Sequence, residues 1–161
     1  NYFGVAVSFL LEFIIITLQT KTMKDIVDLI ARILISFIFL FEAYDYIRNF
    51  EETKMAMANY GISWQPNSLL VGAIMLLILG GMMVLSGYRS GLGATLLLFY
   101  WIPVTFIMHS FWNDPEATRQ LAEMHFMKNL AIIGGLLTVL VNGSGRYSIR
   151  RLFATARVPG A

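Results

Sequence analysis

The chain has 161 residues, 57% hydrophobic and 14% charged, with a formal net charge of +2 and a mean hydropathy of +0.67. Soluble domains carry about 25% charged residues, so this composition leaves room for neither a water-soluble core nor a large independent catalytic domain. The absence of cysteine excludes thiol catalysis, disulfide exchange, haem attachment through C-x-x-C-H and cysteine-ligated zinc or iron–sulfur sites.

The first element is the apolar stretch YFGVAVSFLLEFIIITLQ, residues 2–19, interrupted only by Glu12. It has neither the basic leading region nor the small-residue cleavage site of a signal peptide. It predicts an additional N-terminal hydrophobic helix over residues 1–22, which either spans the membrane or lies in the interface with Glu12 toward the headgroups. Because the first residue is Asn1 rather than Met, further residues are expected upstream, and Met23 offers an alternative start for a four-helix form.

Four longer apolar stretches follow, at residues 26–47, 68–87, 91–112 and 126–142. Each is about long enough to cross a ~30 Å hydrocarbon core at ~1.5 Å per residue. In hydrocarbon every peptide group must be satisfied within the protein, which leaves helices or a closed barrel; unbroken apolar runs exclude the barrel, whose strands would alternate. The expected fold is therefore all-α, an integral membrane four-helix bundle over residues 23–161 with a basic C-terminal tail, preceded by the N-terminal helix.

In the first of these spans Arg32 stands about two turns inside the cytoplasmic end of its helix, positioned either to snorkel to the headgroups or to pair with Glu12 if the N-terminal helix packs antiparallel to it. Glu42, Asp45 and Arg48 then recur every three residues near the other end, a spacing that favours a partnership of Asp45 with Arg48 or Glu42. NFEETKMAMANYGIS, residues 49–63, predicts a short amphipathic helix on the membrane surface that ends in a turn at Gly61 and Pro66.

Gly72, Gly80, Gly81, Gly87, Gly134 and Gly135 suit close backbone approach in lipid. The GYRSGLG segment, residues 87–93, is a tight turn and not a phosphate loop, since it lacks the lysine and the strand context. Pro103 should kink the third span a turn before His109. Trp101, Trp112, Tyr100, Tyr44, Tyr46 and Trp64 fall mostly near span ends, as an aromatic belt requires.

Ionisable residues at membrane depth are costly and usually pair or serve a function. Here they gather at one end. His109 and Trp112 close the third span, and His125, Lys128 and Asn129 open the fourth at i, i+3 and i+4. With Glu42 and Asp45 they form a candidate ligand pocket between helix ends; an ion-pair network that ties the bundle together accounts for them equally well. No catalytic residue is identified. A metal or haem held by His109 and His125 is the weaker reading, because ligating histidines need supporting partners.

Lys21, Lys24, Arg89, Arg146, Arg150, Arg151 and Arg157 place three connections on the positive side and hence the C-terminus in the cytoplasm. The arginine tail is too short and too interrupted by apolar residues for nucleic acid, and anionic lipid is its simpler partner.

The string HSFWNDPEATRQLAEMHFMKNLAIIGGLL, His109–Leu137, resembles the signature of the DoxX family of small membrane proteins. The resemblance rests on His-x-Phe-Trp, a short acidic loop, His125-Phe126, Lys128-Asn129-Leu130 and Gly134-Gly135, and extends over about residues 23–155, leaving 1–22 outside. It implies a four-helix bundle and a bacterial inner-membrane location, and it associates the chain with membrane subunits of quinone-linked sulfur oxidation. Distant relatives act as assembly factors, so the family constrains fold more than activity.

Two functions follow as expectations. One is an accessory subunit of a membrane redox complex, with a quinone headgroup held by His109, His125, Trp112 and Lys128; the other is a non-catalytic structural or assembly subunit docked on a larger membrane complex. A self-contained enzyme is not expected. A transporter is weaker still, because no inverted repeat with interrupted helices is visible.

Overall fold

The computed structural model describes the backbone of residues 2–108, 110–113 and 115–149, and within these the side chains from residue 19 onward except Asn113 and Ala117. The described chain is all-helical: α1 (Tyr2–Arg48), α2 (Phe50–Asn59), α3 (Pro66–Ser86), α4 (Ser90–Met108) and α5 (Glu116–Asn142), with one 3-10 turn at Phe111–Asn113. Three segments are long and apolar enough to cross a membrane, Pro66–Ser86, Ser90–Met108 and Thr118–Asn142. The 26–47 segment of α1 has the length but also carries Asp28, Arg32, Glu42 and Asp45.

Two boundaries differ from the sequence expectation. The hydrophobic N-terminal stretch and the first long span are one continuous 47-residue helix, about 70 Å long at ~1.5 Å per residue. Gln19 to Lys24 hold no glycine or proline and are tolerated in a helix, so charge alone does not break it. Glu12 and Arg32 therefore sit twenty positions apart on one rod, which removes their antiparallel pairing. The expected acidic loop before the fourth span is also largely helix, because Pro115 and Glu116 start α5 ten residues early, with a rigid φ and an acidic first turn. His125 and Lys128 consequently lie inside α5 and not at its opening.

α3 packs along both α1 and α4, α5 packs on α4 and touches α1, and α2 lies across α3 and the end of α1. Phe39 and Ala43 of α1 meet Leu77 and Val84 of α3, Leu97 and Trp101 of α4, and Ile132 and Leu136 of α5 in one core. Trp101 is 5% exposed and meets Phe39 edge-on at 5.1 Å, so it belongs to the core and not to an aromatic belt. Tyr46 and Tyr100 also pack against that core, whereas Tyr44, Trp64 and Trp112 are exposed as belt residues should be.

Lipid tails are as apolar as leucine, so helices associate here by close packing and not by escape from water. A Cβ on Gly80 would press on Leu97, one on Gly81 on Leu40 and one on Gly135 on Ile35. Gly72 and Gly134 have nothing within 4 Å of where a Cβ would stand, so close packing does not explain them. α4 runs through Pro103, where the Thr105 hydroxyl donates to the Trp101 carbonyl at 2.7 Å.

α2 ends in a two-bond cap. Gly61 N donates to the Ala58 carbonyl at 3.0 Å and Ile62 N to the Met57 carbonyl at 2.9 Å, with Gly61 at φ +80° and Ile62 packed on the Met57 cluster. This pattern places a left-handed residue after the helix and closes it with an apolar contact. Since nothing lies within 4 Å of a Cβ there, Gly61→Ala should cost only the conformational penalty, about 1 kcal/mol, read as a lower unfolding midpoint in detergent. A loss above about 3 kcal/mol would instead require a steric cause of the kind found in overpacked sites.

Candidate functional site

The chain collects polar groups at two ends. At the α2 end, Glu42 stands one turn before Tyr46 on α1, and the Tyr100 hydroxyl of α4 donates to the Tyr46 hydroxyl at 3.2 Å. Between α1 and α5 lies a cleft of about 600 Å³, walled by Ile38, Phe41, Ala131 and Ile132 and holding Glu42 from one helix and Lys128 from the other. The field of Lys128 reaches Glu42, yet no ion pair joins them among the described residues. Lys128 Nζ lies within hydrogen-bond distance of His125 Nδ1, at 3.1 Å.

The remaining predicted residues scatter around this centre. Asn129 is buried beside it in sequence, at 2% exposure. Asp45 is exposed and accepts from Asn49 Nδ2 at 2.9 Å, one turn along the helix, instead of pairing with Arg48. Trp112 lies beyond the end of α4 in the 3-10 turn, stacked edge-on against Phe111 at 5.3 Å and Phe126 at 5.8 Å. His109 and Asp114 lie outside the described residues, as do Arg150, Arg151 and Arg157. The structure thus places Glu42 and Lys128 in one cleft, with His125 touching Lys128 from outside it, while His125, Asp45 and Trp112 do not line it.

The opposite end holds a network that the sequence reading did not assemble. Arg32 is fully buried, so it does not snorkel. Its Nε donates to Asp28 Oδ2 at 3.1 Å and its Nη2 to the Tyr147 carbonyl. The turn after α5 supplies that carbonyl. Gly143 at φ +72° and Gly145 at φ +57° reverse the chain, Ser144 Oγ reaches Ser90 Oγ at 3.0 Å under the start of α4, and Arg146 Nη1 approaches Asp25 Oδ2 at 3.9 Å. A Cβ on Gly87 would meet Arg32 Nη1, and one on Gly145 would meet Asp28 Oδ2; both glycines are spaces left for these side chains. The i, i+4 spacing of Asp28 and Arg32 was a readable signal, but the Tyr147 carbonyl, 115 residues away, was not.

Comparison with known proteins follows the same outline. The family model described as DoxX matches residues 27–110, from α1 through α4, so nearly all of the His109–Leu137 string lies beyond the matched part. The chain is 33% identical over 132 residues to inner membrane protein YqjF of Escherichia coli, covering 82% of this chain and 95% of that one. It is 25% identical over 128 residues to inner membrane protein YphA of the same organism, covering 80% and 91%. A third relative, the Surfeit locus protein 4 homolog of Schizosaccharomyces pombe, is 31% identical over 97 residues, 59% of this chain and 31% of that protein. No solved structure matches the chain.

Proposed function

The chain belongs to the DoxX family, and from that premise we propose that this integral membrane protein is an accessory subunit of a membrane redox complex that holds a quinone headgroup between α1 and α5. The observation that carries the reading is the cleft itself, in which a lysine and a carboxylate share apolar walls without neutralising each other. A quinone ring asks for apolar or aromatic walls, a donor for its carbonyl and, in the reduced form, an acceptor for its hydroxyl. Phe41 and Phe37 stack at 6.2 Å beside the cleft, Lys128 supplies the donor and Glu42 the acceptor. His125 holds the ammonium in place. Phe37 and Phe41 are also largely exposed, so the cleft opens sideways, where a ligand dissolved in the bilayer would enter.

In this proposal the 26–47 segment of α1 crosses the membrane beside α3, α4 and α5, completing a four-helix bundle of residues 23–161. Lys24, Arg89 and Arg146 put the Arg32 end in the cytoplasm by the positive-inside rule, where the C-terminal arginines meet anionic lipid. Residues 1–22 are the docking segment for the larger complex.

The test has two arms. Purified protein in nanodiscs is titrated with decylubiquinone, following tryptophan quenching, and Lys128→Met should weaken binding by about tenfold, the loss of a charged hydrogen bond, with helicity unchanged. Equal affinity in Lys128→Met and Glu42→Gln would remove the quinone. Mild-detergent purification with mass spectrometry of what elutes at fixed ratio decides the second point: electron-transfer subunits support the redox role, and a stoichiometric partner without redox groups favours the structural or assembly role.

A further inference from the structure

A second cavity, of about 430 Å³ and open on one side, lies beside the Tyr46–Tyr100 pair, bounded by α2, α3, α4 and Tyr46 of α1. We propose that it binds a membrane lipid that carries a long apolar chain and an uncharged hydroxyl head. Three observations carry this. The wall is apolar along its length, with Leu69, Ala73, Leu76 and Val104, and no lysine, arginine, aspartate, glutamate or histidine lines it. A charged headgroup there would lose its hydration with no counter-charge to replace it, a cost of several kcal/mol, so phospholipid heads are excluded from it. The volume lies within the ordinary range of small-molecule sites, about 300–1,000 Å³.

The second observation is a polar point of the wall. Tyr46 and Tyr100 both line the cavity, and the Tyr100 O–H is committed as a hydrogen-bond donor to the Tyr46 hydroxyl. A phenol oxygen that has donated its hydrogen keeps acceptor capacity only. A ligand group joining the pair at Tyr100 must therefore donate an O–H. Thr53 is already engaged, its hydroxyl donating to the Asn49 carbonyl at 2.9 Å, so the polar points of the wall are the tyrosine pair and the Ser68 hydroxyl. At Tyr100 a hydroxyl fits that requirement and a methyl ester or a quinone carbonyl does not, so this point of the wall selects a different chemistry from the α1–α5 cleft.

The third observation is Gly72. It lines the cavity, yet no atom lies within 4 Å of its missing Cβ, so this mid-helix glycine serves no close approach of neighbouring helices. It leaves lumen. Mid-helix glycine costs about 1 kcal/mol against alanine, and the space it opens into the cavity is the return. Gly134 on α5 has the same empty surroundings but lines neither this cavity, nor the α1–α5 cleft, nor the cavity beside Asp25 and Asp28, which makes it a control.

The experiment is photo-crosslinking of the full chain in nanodiscs with three probes that share one diazirine- and alkyne-bearing hexadecyl chain: the alcohol, the plain alkane and the phosphate ester. The alcohol should label peptides of α3 and α4 around Leu69–Leu76 and Val104–Met108. Tyr100→Phe should lower that labelling by about fivefold, the worth of one hydrogen bond, without changing labelling by the alkane. Gly72→Leu, which fills the lumen, should abolish labelling at these peptides by the alcohol, whereas Gly134→Leu should not. If alcohol and alkane label alike and Tyr100→Phe changes neither, the cavity holds annular hydrocarbon only and the proposal falls. Stronger labelling by the phosphate ester overturns it too. Should Gly72→Leu fail to fold, the Tyr100→Phe comparison still decides, and neither result depends on decylubiquinone binding in the other cleft.

Discussion

Replacing Arg32 with leucine should destabilise the protein by about 3 kcal/mol, the low end of what breaking one side of a buried charge pair costs. The guanidinium is fully buried and binds two partners, the Asp28 carboxylate at 3.1 Å and the Tyr147 carbonyl. Leucine would leave a carboxylate that is 18% exposed facing a new apolar surface, and would release the turn that closes the C-terminal end of α5. Arg32→Lys should recover little, because an ammonium is a point donor and cannot span both acceptors as a planar fork does. Asp28→Asn combined with Arg32→Leu should lose less than the two single changes added, since the pair shares one interaction. Unfolding in mixed SDS–detergent micelles measures the four variants against the parent. A loss below about 1 kcal/mol for Arg32→Leu would place Arg32 with surface ion pairs and would mean that water replaces its partners in the membrane.

That network shows where sequence reading stops. Hydropathy located α3 and α4 to within a few residues because a bilayer demands a set number of apolar residues, and the amphipathic 49–63 stretch was visible as α2 because its charges and methionines alternate. The continuity of α1 was hidden for a physical reason: Lys21, Thr22 and Lys24 end a hydrophobic run without ending a helix, since hydropathy reports solvent and not backbone geometry. The start of α5 was hidden in the same way, polar Glu116–Glu123 being helical but not apolar.

The contact of His125 with Lys128 was legible because the two share one helix, and Glu42 stood out as a carboxylate within an apolar run. Which charges meet was not legible. Asp45 prefers Asn49, and Glu42 shares a cleft with Lys128, because partner choice depends on how far α1 and α5 rotate toward each other. The tyrosines were assigned to the membrane interface by type alone. Only packing shows that Tyr46 and Tyr100 turn inward and form a hydrogen bond across 54 positions of sequence.

Glycine is the residue type whose meaning sequence leaves most open, and it supplies the second large effect. Gly93→Ala should cost about 3 kcal/mol, the upper end for overpacking a tight contact, while Gly134→Ala should gain up to about 1 kcal/mol through helix propensity. A Cβ on Gly93 would stand 2.8 Å from the Gly80 carbonyl oxygen and 2.8 Å from Met83 Cβ. A carbonyl held in its own helix cannot rotate aside, so α3 and α4 would have to part. Separating them would loosen Leu97, which is fully buried beside Gly80, and disturb the core that both helices share with α1. At Gly134 the new methyl meets nothing within 4 Å and simply stiffens α5. The same substitution on two apolar helices of one protein should therefore move the unfolding midpoint in opposite directions. If both alanines shift it the same way, the α3–α4 contact is not a backbone contact, and these glycines answer only to the flexibility of their helices.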